Sequence, residues 1–69
     1  MFLDTWTKKP VHPYYKNEEW MAVFDIGGKM HEMFVSLSNG SWSLIGKRYI
    51  LQGVTLEEIE AYVSKLKRI

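Results

Sequence analysis

Apolar and polar side chains alternate along the middle of the chain, from residue 20 to residue 45. The runs WMAVFDI, KMHEMFVSL and WSLI are separated by Gly27–Gly28 and by a turn containing Asn39–Gly40. A period of two is typical of half-buried strands, and both dipeptides accept the positive φ angles of a tight hairpin. The pattern predicts a three-stranded antiparallel meander. Its strands are expected at about 20–26, 29–37 and 41–50.

The two turns also predict how the strands pair. If each dipeptide forms a two-residue turn, both hairpins require the same core face, because a slip of one residue would reverse the faces. The core face then carries one apolar row across the sheet, consisting of Trp20, Val35 and Leu44. The opposite face, called the outer face below, carries a second row of Met21, Phe34 and Ile45, with Lys47 expected opposite Glu32 beyond it.

A helix is predicted after the sheet, at about 55–67. Thr55 and Glu58 form a capping box, in which each side chain satisfies a backbone donor of the other residue. Apolar residues recur at helical spacing from Leu56 through Ile59 and Val63, which predicts that this side of the helix packs on the core face. Residues 49–54 are expected to leave the sheet. The expected fold is α+β, a single small domain spanning residues 1–69.

Residues 1–19 are predicted to form an irregular, extended arm. Pro10 and Pro13 interrupt any helix there, since each lacks a backbone donor and favours extended geometry before it. The arm either packs on the sheet through its aromatic residues or stays free for a partner. Another interpretation is that apolar arm residues cover the outer face as a second small core. The candidates for this role are Phe2, Leu3, Trp6, Tyr14 and Tyr15.

Composition narrows the function classes. The chain has no Cys, and its two His residues, His12 and His31, show no metal-ligand spacing, so neither metal nor cofactor is expected. Gly27–Gly28 followed by Lys29 lacks the spacing of a phosphate-binding loop, and no Ser lies in a nucleophile elbow. We therefore expect no enzymatic activity. The start shows no leader pattern and no run suits a membrane span, which favours a soluble cytoplasmic protein.

Protein binding is the predicted function, because a single helix covers only one face of a sheet and leaves the apolar row on the other exposed. The predicted partner-binding residues are Met21, Val23, Phe34, Ile45 and Lys47. A homodimer through this face or through an edge strand is an alternative. Free-standing chains of this size are often regulators or inhibitors, frequently carried by phages or mobile elements. On the basis of that tendency, we expect this chain to be a regulator or inhibitor of the same kind.

Nucleic-acid binding is the alternative function. A sheet backed by one helix occurs in several DNA-reading domains, and aromatic side chains on a sheet can stack on unpaired bases. The residues that would contact DNA or RNA are Lys29, Lys47 and Arg48. The net charge of only +1 argues against this alternative, because nucleic-acid binding usually accompanies a strong basic bias.

Overall fold

The computed structural model describes residues 1–14, 16–47 and 50–69. The elements in chain order are a 3₁₀ helix (Phe2–Thr5), β1 (Thr7–Lys8), β2 (Glu18–Ile26), β3 (Lys29–Ser38), β4 (Ser41–Ile45), β5 (Ile50–Val54), α1 (Leu56–Val63) and β6 (Lys67–Arg68). Strands β1 to β5 lie side by side in sequence order, each antiparallel to its neighbour, and β6 pairs with β2. In this part of the chain, no helix has the length and apolarity needed to cross a bilayer.

The register predicted for the central meander is confirmed. Trp20 lies opposite Val35, which in turn lies opposite Leu44. Asn39 and Gly40 have φ angles of 51° and 75°, so both central residues of the second turn occupy the left-handed region that a type I′ hairpin requires. A two-residue turn leaves no unpaired residue between the two strands that it joins. Side chains therefore keep alternating between the two faces without a shift from β2 through β4.

The predicted strand count is wrong, although the class remains α+β. The strand expected at 41–50 ends at Ile45, and β5 folds back against β4 with Ile45 opposite Ile50 and Leu44 opposite Leu51. The expectation that residues 49–54 leave the sheet is therefore also wrong. Folding back places Leu51, which is half-buried, beside the fully buried Leu44. Arg48 and Tyr49, which end the connection, lie outside the described residues.

The predicted end of the helix is wrong as well. α1 begins as expected, and the Thr55 hydroxyl accepts a hydrogen bond from the backbone N–H of Glu58 at 3.2 Å. The helix stops at Val63 instead of continuing to about residue 67. The chain beyond it becomes extended, and β6 pairs with Phe24 and Asp25 of β2. Hydrogen bonds to the edge of β2 thus replace those that another helical turn would have made.

The N-terminal arm is more ordered than predicted, because it contains the 3₁₀ helix and β1. β1 pairs with β2, with Thr7 opposite Met21 and Lys8 opposite Trp20. The arm packs on the core face through Trp6, whose buried ring lies 5.6 Å from that of Phe24. β1 and β6 therefore share the edge of β2 that faces away from β3.

The hydrophobic core formed by the described residues lies on the core face of the sheet. It is built from the sheet, the 3₁₀ helix and α1, and its buried members are Leu3, Trp6, Ala22, Phe24, Met33, Val35, Leu44, Ile59 and Val63. Trp20 and Trp42 pack together at its half-buried margin, with ring centroids 5.6 Å apart. α1 and the 3₁₀ helix both pack on this face of the sheet, so among the described residues neither helix covers the outer face.

Arg68 joins the two ends of the chain across this core. Its guanidinium donates to the Thr5 carbonyl oxygen at 2.5 Å and to the Thr5 hydroxyl at 3.2 Å. The same group lies 5.6 Å from the ring centre of Trp6 and 5.7 Å from that of Phe24. The 3₁₀ helix and β6, at opposite ends of the sequence, are therefore held together by one side chain.

Candidate functional site

The apolar row predicted on the outer face extends further than the sequence indicates. The ladder pairings place Thr7, Met21, Phe34, Ile45 and Ile50 in line across five strands. Met21 and Phe34 are half-buried, whereas Ile45 is 37% exposed and Ile50 is 65% exposed. The row therefore becomes more accessible towards β5.

An open groove of about 820 Å³ adjoins this row on the outer face. β3 pairs with β4 only from Phe34 onward, so within the described residues no strand follows residues 29–33 on that side. β4 ends at Ile45, and Gly46, which directly follows it, lines the groove. Apolar side chains line much of it, namely those of Val23, Met30, Phe34, Ile45 and Ile69.

Charged side chains border the apolar lining. Lys29, Lys47 and Glu32 line the groove, and the ion pairs of the described residues are formed elsewhere, at Met1 with Asp4 and at Lys8 with Glu18. The predicted pairing of Lys47 with Glu32 is wrong, because β4 ends before Lys47 can continue the ladder.

One more cation lies at the apolar row. The Lys9 ammonium is 5.4 Å from the centre of the Phe34 ring, within the range of a cation–π contact. Positive charges therefore predominate around the apolar lining. Glu32 is the acidic side chain among the residues that line the groove.

The structure brings most of the predicted partner-binding residues together. Val23, Phe34, Ile45 and Lys47 line the groove, and Met21 lies beside Phe34 in the apolar row. The residues of the nucleic-acid alternative are divided. Lys29 and Lys47 line the same groove, and Arg48 lies outside the described residues.

The sequence did not reveal three further residues of this surface. Ile50 follows Ile45 after a four-residue connection that contains Gly46, and this spacing is itself a hairpin signal that could have identified β5. Ile69 reaches the groove because its backbone N–H donates to the Val23 carbonyl oxygen at 3.0 Å. Neither Ile69 nor Lys9 carries a local sequence signal for its position, since both positions depend on pairing with β2.

The proposed cover of the outer face is wrong for the arm residues that the structure describes. Leu3 and Trp6 are buried in the main core, and Phe2 packs against it. Tyr14 is 87% exposed, so it covers neither face. Tyr15 lies outside the described residues. Among the described residues, none of these proposed arm side chains covers the apolar row of the outer face.

The sequence predicts no metal site, and the candidate ligands among the described residues are acidic and histidine side chains. In residues 1–14, 16–47 and 50–69, no three His, Asp or Glu side chains cluster in a way that could hold a metal ion. His12 Nδ1 accepts a hydrogen bond from the Tyr14 N–H at 3.1 Å, a contact within the loop between β1 and β2. Comparison with protein-family models, with curated proteins and with solved structures finds no significant match to this chain.

Proposed function

We propose that this chain is a small, non-enzymatic protein-binding module, a regulator or inhibitor that acts by occupying a surface on a partner protein. The observation that carries the proposal is the accessible outer face, where an apolar row leads into an open groove. Contiguous apolar surface of this kind usually marks an interaction site on a small protein. The proposed compartment is the cytoplasm, which is compatible with a chain that lacks cysteine.

The groove favours a partner with an apolar protrusion and acidic side chains around it. Val23, Phe34 and Ile45 supply an apolar floor, which a partner's apolar side chain would shield from water. Lys29 and Lys47 stand at the groove with no ion-pair partner among the described residues, so carboxylates on the partner would complement them. Charges at the margin of an interface mainly raise the association rate.

Met30 supports the same use of the surface. Its side chain is 74% exposed and borders the groove. A methionine side chain is unbranched and flexible, so it adapts to irregular apolar shapes and is common at binding surfaces that accept more than one partner geometry. The proposed binding site thus combines a fixed floor on the sheet with one adaptable wall.

The test is a substitution at the centre of the surface, Phe34→Glu. Truncation of a hot-spot residue near the centre of an interface costs about 2 kcal/mol or more, or roughly thirtyfold in affinity, and replacing an aromatic ring there with a carboxylate should cost at least as much. A photo-crosslinking amino acid at position 45 in the native host should give one defined adduct, and Phe34→Glu should abolish it. The matched control is Val11→Glu, since Val11 is an apolar residue of the arm with 49% exposure.

Two results would contradict the proposal. Equal crosslinking by Phe34→Glu and by the unchanged chain would show that the apolar row is not the contact. Unfolding of Phe34→Glu, measured by circular dichroism, would show instead that Phe34 belongs to the core of the protein.

The nucleic-acid alternative is supported by the position of Lys29 and Lys47, which line one groove together with Phe34. It predicts retention on heparin and a gel shift with single-stranded DNA or RNA that weakens steeply as salt is raised. The double variant Lys29→Glu with Lys47→Glu should then lose the shift, whereas Lys65→Glu with Lys67→Glu should keep most of it. No shift at low salt would exclude this alternative.

A further inference from the structure

The two edges of the sheet differ greatly in how well they are protected from pairing with another chain. At one edge, β1 and β6 are only two residues long each, and they carry Lys8, Lys67 and Arg68. Lys9 and Pro10 directly follow β1. Short strands, lysines and proline are the usual means by which natural proteins prevent an edge from pairing with another chain.

The other edge, formed by β5, lacks these protections. Its residues are Ile50, Leu51, Gln52, Gly53 and Val54, none of which is charged or a proline. The strand has one irregularity, a bulge near Gly53, whose φ angle is 66° and where the register against β4 shifts. Residues 50–52 remain regular, and Ile50 is 65% exposed.

The backbone of β5 retains hydrogen-bonding capacity. In the described part of the chain, β5 pairs with β4 and with no other strand. Alternate residues of a strand direct their N–H and C=O groups to opposite sides, so roughly half of those in β5 face away from β4. An edge of this kind is a template for another strand.

We infer that β5 pairs antiparallel with β5 of a second copy of this chain. A second copy fits this edge because the two ends of β5 carry opposite charge. Lys47 precedes the strand, and Glu57 and Glu58, all three side chains exposed, follow it in the first turn of α1. An antiparallel copy related by a twofold axis places the basic end of each strand beside the acidic end of the other, and such a contact is self-complementary.

The same pairing would also cover an exposed apolar side chain. Ile50 ends the apolar row of the outer face, and in the dimer it would lie against the neighbouring copy instead of solvent. The two sheets would join into one continuous sheet with a shared outer face. This inference concerns the β5 edge and does not depend on the proposed function of the groove.

The experiment is sedimentation equilibrium of the full chain over a wide range of concentration. We expect a reversible monomer–dimer equilibrium, and Ile50→Lys should raise its dissociation constant at least tenfold because a lysine blocks edge pairing. The matched control is Met30→Lys, which places the same charge on the same face at a side chain of similar exposure, 74% against 65%. Met30→Lys should leave the dissociation constant within about twofold.

A second pair of variants keeps the inference testable if Ile50→Lys does not fold. Lys47→Glu should weaken the dimer, and combining it with Glu57→Lys and Glu58→Lys should restore it. Hydrogen exchange should be slower for backbone amides of β5 at high protein concentration than at low concentration.

Several outcomes would overturn the inference. One is a chain that stays monomeric up to about 1 mM. Another is a dimer weakened by Met30→Lys but not by Ile50→Lys, which would place the contact on the outer face instead. A third is a monomer whose capture of a partner is lost in Ile50→Lys, which would mean that β5 receives a strand from a different protein.

Discussion

A substitution at Arg68 tests directly how the two ends of this small chain are held together. We predict that Arg68→Ala destabilises the fold, because the substitution removes both hydrogen bonds to Thr5 and the contacts with the rings of Trp6 and Phe24. The backbone pairing of β6 with β2 does not depend on this side chain. The variant therefore isolates the contribution of the guanidinium.

The magnitude follows from the contacts. Hydrogen bonds that involve a charged group contribute about 1.5–3 kcal/mol, and an exposed cation–π contact contributes about 0.5–1 kcal/mol. Arg68 is exposed, so solvent screening places the sum near the lower end, at about 2 kcal/mol. In a domain of this size, each kcal/mol corresponds to about 4–8 °C in Tm. We therefore expect Tm to fall by about 8–16 °C.

The assay is urea and thermal unfolding followed by circular dichroism. Arg68→Lys should recover only part of the loss, because an ammonium keeps the charge near the rings but lacks the planar fork of donors that reaches two Thr5 oxygens. Lys67→Ala is the matched control at the neighbouring exposed position, and it should change the unfolding free energy by less than about 0.5 kcal/mol. If Arg68→Ala changed it no more than Lys67→Ala, the proposed closure of the chain ends would be refuted.

Two further predictions concern the core and the helix. Leu44 is fully buried, so Leu44→Ala should cost about 2–5 kcal/mol and lower Tm by at least about 8 °C, whereas Leu51→Ala, at a half-buried position, should lower Tm less. A cooperative melt of Leu44→Ala near the original Tm, followed by circular dichroism, would contradict this. Thr55 caps α1 through its hydroxyl, so Thr55→Ala should lower the free energy of unfolding in urea by about 1 kcal/mol. Thr55→Ser should restore the lost stability. Equal stability of the unchanged chain and both variants would mean that the cap is not needed.

The central meander could be predicted from sequence because its turns are local. Gly27–Gly28 and Asn39–Gly40 favour the positive φ angles that the structure shows at all four positions. Once two-residue turns are assumed, the alternation of side chains leaves one register that places apolar residues on one face. The pairing of Trp20 with Val35 and of Val35 with Leu44 follows from these two facts.

β5 is not predicted by the sequence pattern because its turn carries a weaker signal. The connection from Ile45 to Ile50 has four residues and one glycine, Gly46, in place of a two-residue turn. The strand itself is short and contains Gly53, a residue that usually weakens a strand. Because β5 is short and its turn is longer than two residues, the sequence pattern does not predict the hairpin in which Ile45 lies opposite Ile50.

The end of α1 could not be predicted, because no local pattern opposes a longer helix. Residues 64–69 contain Lys65, Leu66, Lys67 and Arg68, all good helix formers. The extended conformation is favoured by tertiary contacts, namely the pairing of β6 with β2 and the hydrogen bonds between Arg68 and Thr5 across 63 positions of sequence. Propensity is a weak prior, and here distant contacts override it.

The same long-range closure shapes the candidate site. Because β6 is extended, Arg68 lies beside Phe24 on the core face. For the same reason Ile69, whose backbone N–H is hydrogen-bonded to the Val23 carbonyl oxygen, reaches the groove. A helix continuing to residue 67 would leave the edge of β2 at residues 23–25 unpaired and would remove Ile69 from the groove wall. The centre of the outer face, at Phe34 and Ile45, follows from local turns and was accessible from sequence. The margin formed by Lys9 and Ile69 was not, because it is built by two terminal segments that meet β2 only in the folded protein.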